Sequence, residues 1–227
     1  MKTRLLTAAL VIALCAGIVA APRSAKAATE IVFWHAMTGT NGKVVTDLVA
    51  TFNASQSDIH VTEQLKGTTY NEELNAVIAA SQQKQGPNVA QIFDLGTPLA
   101  IDSGFFTPIE SLLSADQLAA VKADVVGPVL NYFTIGGKLY SLPFNNSNPL
   151  LYYNKDMFTA AGLDPAKPPA TWKEVEDDCA KIVAANAAPN CITFQIYGWF
   201  VEQWMALQGA ELANNGNGRT APATETN

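Results

Sequence analysis

Between Ile31 and Leu95 the chain switches repeatedly between two hydrophobic periods, and this switching limits the fold more than anything else in it. Ile31-Val32-Phe33-Trp34 is a short continuous apolar run of strand composition. Gly39 to Gly42 reads as a turn, and Lys43 to Ala54 then sets Val44, Val45, Leu48, Val49 and Phe52 on one helical face. Ile59 to Gln64 alternates as a strand does. Tyr70 to Gln85 repeats Leu74, Val77 and Ile78 at helical spacing until Gly86-Pro87 stops it. Val89 to Leu95 is a further strand. Strands separated by helices of this length predict an open α/β sheet, because parallel strands need a crossover between them.

Ile101 to Leu113 reads as a helix followed by an extended piece, and Ser114 to Val126 as a capped helix. Gly136-Gly137 marks a turn, after which Leu139 to Phe144 is a short apolar strand. Asn145-Asn146-Ser147-Asn148-Pro149 has no helical period and offers short amides and a hydroxyl suited to a small polar ligand. Leu150 to Tyr153 is a second extended run, with Tyr152 and Tyr153 expected in a core, and Asn154-Lys155-Asp156 opens a helix. Trp172 to Ala185 is helical with acidic residues early, a face that matches the helix dipole. Thr193 to Trp199 is strand-like, and Phe200 to Leu212 looks helical. From Asn214 the residues are small and polar, and alone they read as a disordered tail.

The order Gly137-Lys138, Tyr140, Pro143-Phe144, Leu151-Tyr152-Tyr153-Asn154-Lys155-Asp156, Thr171-Trp172 resembles the hinge signature of the extracytoplasmic solute-binding proteins of ABC importers, in the sugar-binding group. The resemblance implies a periplasmic-binding-protein-like α/β fold, a two-domain hinge architecture whose second domain is truncated here. It divides the chain into a signal peptide at 1–27, an N-terminal α/β lobe at 28–146, the incomplete start of a second α/β lobe at 147–213, and a polar tail at 214–227. It also implies domain closure on a ligand and delivery to a membrane permease rather than chemistry.

The first residues have the pattern of an export signal. Met1-Lys2-Thr3-Arg4 is a basic start, Leu5 to Ala20 is apolar, and Ala25-Lys26-Ala27 is a small-residue cleavage site, so the mature chain is expected to begin at Ala28. Leu14 is too large for the position before a lipidated Cys15. Cleavage removes four of the 14 basic residues and no acidic one, leaving 10 against 20 and a net charge of −10. No basic stripe remains for nucleic acid or anionic lipid, so neither is an expected partner. A monomer is expected. Cys179 and Cys191 remain after cleavage, and an oxidising compartment permits a disulfide between them; two separate buried thiols are the alternative. His35 and His60 are remote from each other and no C-x-x-C occurs, so neither metal nor other cofactor is expected.

No G-x-S-x-G, H-E-x-x-H or Walker loop occurs, and no catalytic residue is assigned. Binding residues come from the resemblance. Phe33-Trp34-His35-Ala36-Met37-Thr38-Gly39, Lys66-Gly67 with Tyr70, and Phe144-Asn145-Asn146-Ser147-Asn148-Pro149 are similar to segments of the members that bind sn-glycerol 3-phosphate. Carried over by motif, the ligand contacts are Tyr70, Ser147 and Trp199, with Asp94 where those members have glutamate. Trp34 and His35 are possible cleft lining, with core and structural roles as the alternatives. The residues themselves agree with this assignment. Asp94 follows a strand, at the carboxyl end where open α/β sheets bind ligands, and its carboxylate can accept from polyol hydroxyls. Tyr70 lies at a helix start, where backbone N–H groups favour an anion. Trp199 can cover the carbon face of a polyol. The resemblance implies glycerol 3-phosphate or a glycerophosphodiester as ligand. A maltose-like or other oligosaccharide is the first alternative. A secreted glycerophosphodiester hydrolase, which would need a metal cluster, is the second.

Overall fold

The computed structural model describes residues 27–218 and 220–226. The expected signal peptide and its cleavage site lie outside the described residues, apart from Ala27. The chain divides into two compact units, the first ending at Phe106 and the second beginning at Thr107. The lobe boundary expected at 146/147 therefore falls inside the second unit.

The first unit is built on three parallel strands in the order β2-β1-β3: β1 Thr29–His35, β2 Ile59–Leu65 and β3 Val89–Ala90. Thr29 pairs with Ile59 and His35 with Leu65 along the full length of β1, while β3 adds only Phe33–Val89 and Trp34–Ala90. Helix α1, Gly39–Ser55, carries the chain from β1 to β2, and α2, Tyr70–Gln82, from β2 to β3. The expected turn at Gly39 to Gly42 is thus the first turn of α1. The expected strand at Val89 to Leu95 ends at Ala90 and gives way to a 3₁₀ turn, Asp94–Gly96, and then to α3, Thr97–Ser103. Thr69 caps α2 reciprocally: its hydroxyl accepts from the Glu72 N–H, and Glu72 accepts from the Thr69 N–H. The core gathers Trp34, Ala36 and Met37 from the end of β1, Val45 from α1, Leu74 and Val77 from α2, and Ala100 from α3. Of the apolar face read on α1, only Val45 is buried; Val44, Leu48 and Phe52 are exposed.

The second unit has a smaller framework. Helix α4, Ala115–Asp124, starts with a Ser114/Gln117 capping box, and α5 covers Gly127–Tyr132. Strands β4, Thr134–Ile135, and β5, Lys138–Leu139, form a hairpin across Gly136 and Gly137, whose φ angles of 58° and 80° suit the twist of a two-residue turn. The Ile109 N–H donates to the Tyr140 carbonyl at 3.1 Å, and Leu139 N–H to Glu110 Oε2 at 3.1 Å. These bonds bind the 107–113 segment to the hairpin and explain why the unit begins before residue 146. Beyond β5 the expected strand to Phe144 does not form.

Helix α6, Lys155–Ala160, is capped by Asn154, and α7, Trp172–Ala184, by a Thr171/Glu174 box. Phe158, Ile182 and Ala188 form their shared core, with Tyr153 packed against it. Leu150 to Tyr153 is extended but pairs with no strand among the described residues, so only one of its two tyrosines is covered. Tyr153 meets the Phe158 ring at 4.9 Å and donates its hydroxyl to the Pro165 carbonyl, whereas Tyr152 is 87% exposed, contrary to its expected place in a core. Thr193 to Tyr197 is likewise unpaired, and α8 spans Gly198–Leu207. The polar end of the chain folds back on itself. Asn215, Gly216 and Asn217 take left-handed φ of 54–62°, and Ala213 bridges Thr226.

A disulfide joins Cys179 on α7 to Cys191, with Cα atoms 5.1 Å apart. It pins the segment after Ala188 to the helix that buries Ile182. Closing a loop of 12 residues' separation removes unfolded-state entropy worth about 3 kcal/mol. Reduction is therefore expected to lower the midpoint of denaturant unfolding of the second unit, followed by the indole emission of Trp172 and Trp204, while Cys179→Ser/Cys191→Ser matches the reduced protein. An unchanged midpoint contradicts this.

Candidate functional site

The carboxyl ends of the three parallel strands bring several of the expected residues of the first unit together. Tyr70 is the first residue of α2, and its ring stacks on Phe93 with centroids 5.5 Å apart and planes 7° from parallel. Phe93 precedes Asp94, so the stack holds the helix start and the 3₁₀ turn side by side. Asp94 is half-buried, and its Oδ1 accepts from the Leu95 N–H at 3.0 Å. Gly96 lies beneath this arrangement. A Cβ there would fall on the Phe93 ring and 2.8 Å from Leu74 Cδ2. Overpacking of this kind typically costs about 1–3 kcal/mol. Gly96→Ala is expected to lower thermal stability by that amount and to separate the Tyr70 and Phe93 rings. A crystal structure of the variant with the stack intact would contradict it.

The start of α2 is already occupied electrostatically. Glu72 Oε2 accepts from the N–H groups of Thr68 at 2.7 Å and Thr69 at 3.3 Å, and these bonds hold its carboxyl below the usual range. Glu72 thus takes the two N–H groups just before the helix and sets its own carboxylate beside the start that was expected to favour an anion. Gly67 makes the close turn possible. It has φ +103°, and a Cβ would sit 2.5 Å from Glu72 Cβ.

Trp34 and His35 are both buried, so the cleft-lining role expected as possible for them is not what the structure displays. His35 is 2% exposed. The Met37 N–H donates to its Nδ1 at 3.2 Å, which places the ring proton on Nε2, and Nε2 donates to Glu63 Oε2 at 2.8 Å. Thr46 donates to the other Glu63 oxygen at 2.8 Å. The His35 bond first, and then the Thr46 bond, hold the Glu63 carboxyl below its ordinary range. This chain of bonds ties β1, β2 and α1 together at the sheet's carboxyl end. The Lys66 ammonium lies over the Trp34 ring, 4.3 Å from its centroid.

Sequence reasoning passed over Glu73, which no motif marks. It is fully buried, one helical turn beyond Tyr70, and neither carboxyl oxygen has a hydrogen-bond partner. Burial pushes its pKa up to about 8. It is thus a neutral acid at pH 7 in the folded protein and a carboxylate in the unfolded chain. Between pH 4.5 and 8 the folded state holds the extra proton, so this group's stabilisation is complete below pH 4.5 and is lost as pH rises towards 8. The slope limit is about 1.4 kcal/mol per pH unit. Glu73→Gln is expected to flatten the fall in unfolding free energy between pH 5 and pH 8. Parallel curves for variant and wild type would contradict it.

In the second unit Ser147 is exposed on the irregular segment after β5. Trp199 is half-buried in the first turn of α8, edge-on to Phe200 at 5.5 Å. Phe194, Phe200 and Trp204 continue this aromatic cluster, and Trp204 meets Trp172. A cavity of about 400 Å³ opens among Leu150, Tyr153, Phe158, Val175, Ile182 and Ile192. Neither Ser147 nor Trp199 lines it.

Residues 15–227 match the family described as bacterial extracellular solute-binding protein. The chain belongs to that family. It is 40% identical over 198 residues to the sn-glycerol-3-phosphate-binding periplasmic protein UgpB of Agrobacterium fabrum, covering 86% of this chain and 45% of the relative. Its identity to UgpB of Brucella abortus is 38% over 224 residues, 96% of this chain and 50% of the relative. The chain spans about half the length of the curated relatives it matches. Among solved structures, the cyclic alpha-maltosyl-1,6-maltose binding protein of Arthrobacter globiformis superposes with a TM-score of 0.62 at 25% identity, covering 86% of this chain and 50% of that one. UgpB of Mycobacterium tuberculosis in complex with glycerophosphocholine gives 0.57 at 24%, covering 70% and 41%, and is like this chain in fold. The Agrobacterium, Brucella and Arthrobacter proteins are named as binding proteins.

Proposed function

We propose that the chain belongs to the substrate-binding component of an ABC importer, exported with cleavage after Ala27 to work in the periplasm. It binds sn-glycerol 3-phosphate or a glycerophosphodiester there and delivers it to the permease. The observation that carries this is the wall at the carboxyl end of the first unit's sheet, where Tyr70, stacked on Phe93, stands beside Asp94. A phenol and a carboxylate at one sheet end suit the hydroxyls of a glycerol moiety. Ser147 and Trp199, in the second unit, are ligand contacts by the resemblance alone. The names of the most similar relatives point to the same ligand. The oligosaccharide reading draws on the aromatic cluster around Trp204, since such rings cover sugar faces equally well.

Titration calorimetry with sn-glycerol 3-phosphate, glycerol and maltose separates the two. Heat with glycerol 3-phosphate and none with maltose supports the proposal; the reverse overturns it.

A further inference from the structure

We propose that Lys66 is the residue with which the first unit recognises the anionic group of its ligand, a phosphate monoester or diester. The inference rests on the reading above and adds the group that answers the ligand's charge.

Lys66 follows β2 directly, and its N–H donates to the His35 carbonyl at 2.9 Å. That bond is the last rung between β2 and β1, so the backbone of Lys66 is fixed at the carboxyl end of the sheet. The side chain is fixed as well. Its ammonium sits 4.3 Å from the Trp34 centroid, held by the negative face of the indole. Trp34 is itself 9% exposed, and its Nε1–H is buried with no acceptor. The indole thus positions the Lys66 ammonium at this end of the sheet, where it can answer an acceptor of negative charge.

The distribution of charge leads to the same residue. Between residues 27 and 106 the sequence has three lysines and no arginine. Lys43 is tied to Asp47 at 2.7 Å on α1. Lys84 lies beyond the last turn of α2, at the opposite end of that helix from Tyr70. Lys66 has no carboxylate within ion-pair distance among the described residues. At the start of α2 the Glu72 carboxylate already holds the Thr68 and Thr69 N–H groups and adds negative charge there. With Glu72 and Asp94 both at this end of the sheet, a phosphate meets repulsion unless an ammonium offsets it. Lys66 is the one cation in place to do so among the described residues of this unit.

The test is an NMR titration of the chain with millimolar sn-glycerol 3-phosphate and, separately, glycerol, followed on the Trp34 indole N–H signal. Wild type, Lys66→Met and Lys66→Arg are compared. Wild type is expected to move this signal saturably with glycerol 3-phosphate. Lys66→Met should weaken that binding by about tenfold or more, comparable to the loss of one charge-assisted hydrogen bond, and leave the glycerol response unchanged. Lys66→Arg should keep most of the affinity. Equal binding by Lys66→Met overturns the role of Lys66 and leaves the proposed function standing. Equal loss in both variants shows that side-chain shape, not charge, matters, and overturns it too. A wild type that does not respond to glycerol 3-phosphate overturns the proposed function and this inference together.

Discussion

The first unit depends on β1 being paired along both edges. Strands β2 and β3 lie on either side of it, so its backbone groups near Phe33 and Trp34 are satisfied without water. Everything at the carboxyl end takes its position from this strand. His35, the last residue of β1, turns its imidazole to Glu63 on β2 and accepts from the Met37 N–H. The turn into α1 and the end of β2 are thereby fixed to one ring. Lys66 and Gly67 follow from β2, and Tyr70 from Gly67. A shift of β1 by one residue would exchange buried Trp34 and His35 for their neighbours and undo the whole wall.

The parts of the fold with a strong period were readable from residues. Helix α2 begins at Tyr70, where the helical period starts, and the Gly136-Gly137 turn makes its hairpin because both glycines accept positive φ. The strand errors in the second unit share one cause. Leu139 to Phe144, Leu150 to Tyr153 and Thr193 to Trp199 all have strand composition, but a strand exists only through its neighbours, and the described residues of this unit supply none beyond the short β4–β5 ladder. Alternation cannot reveal whether a partner is present. Tyr152 was expected inside for that reason and stands in solvent.

The site was legible where a motif carried it and hidden where packing did. Tyr70 and Asp94 were found by resemblance, and the structure joins them through Phe93, which no pattern singled out. His35 reads from sequence as either a lining or a structural residue; its two hydrogen bonds and its burial make it structural. Glu73 looks like half of an ordinary acidic pair with Glu72. Only helix geometry separates them, sending Glu72 back to its own cap and Glu73 into the core beside Leu74.

The bridge between Cys179 and Cys191 also bears on when the second unit becomes rigid. The core there is small: Phe158, Ile182 and Ala188 with a few half-buried neighbours. Under reducing conditions the two thiols stay separate and this cluster must hold the segment around Cys191 unaided. Oxidation closes the loop, so the covalent bond couples the final folding of this unit to the redox state of its surroundings.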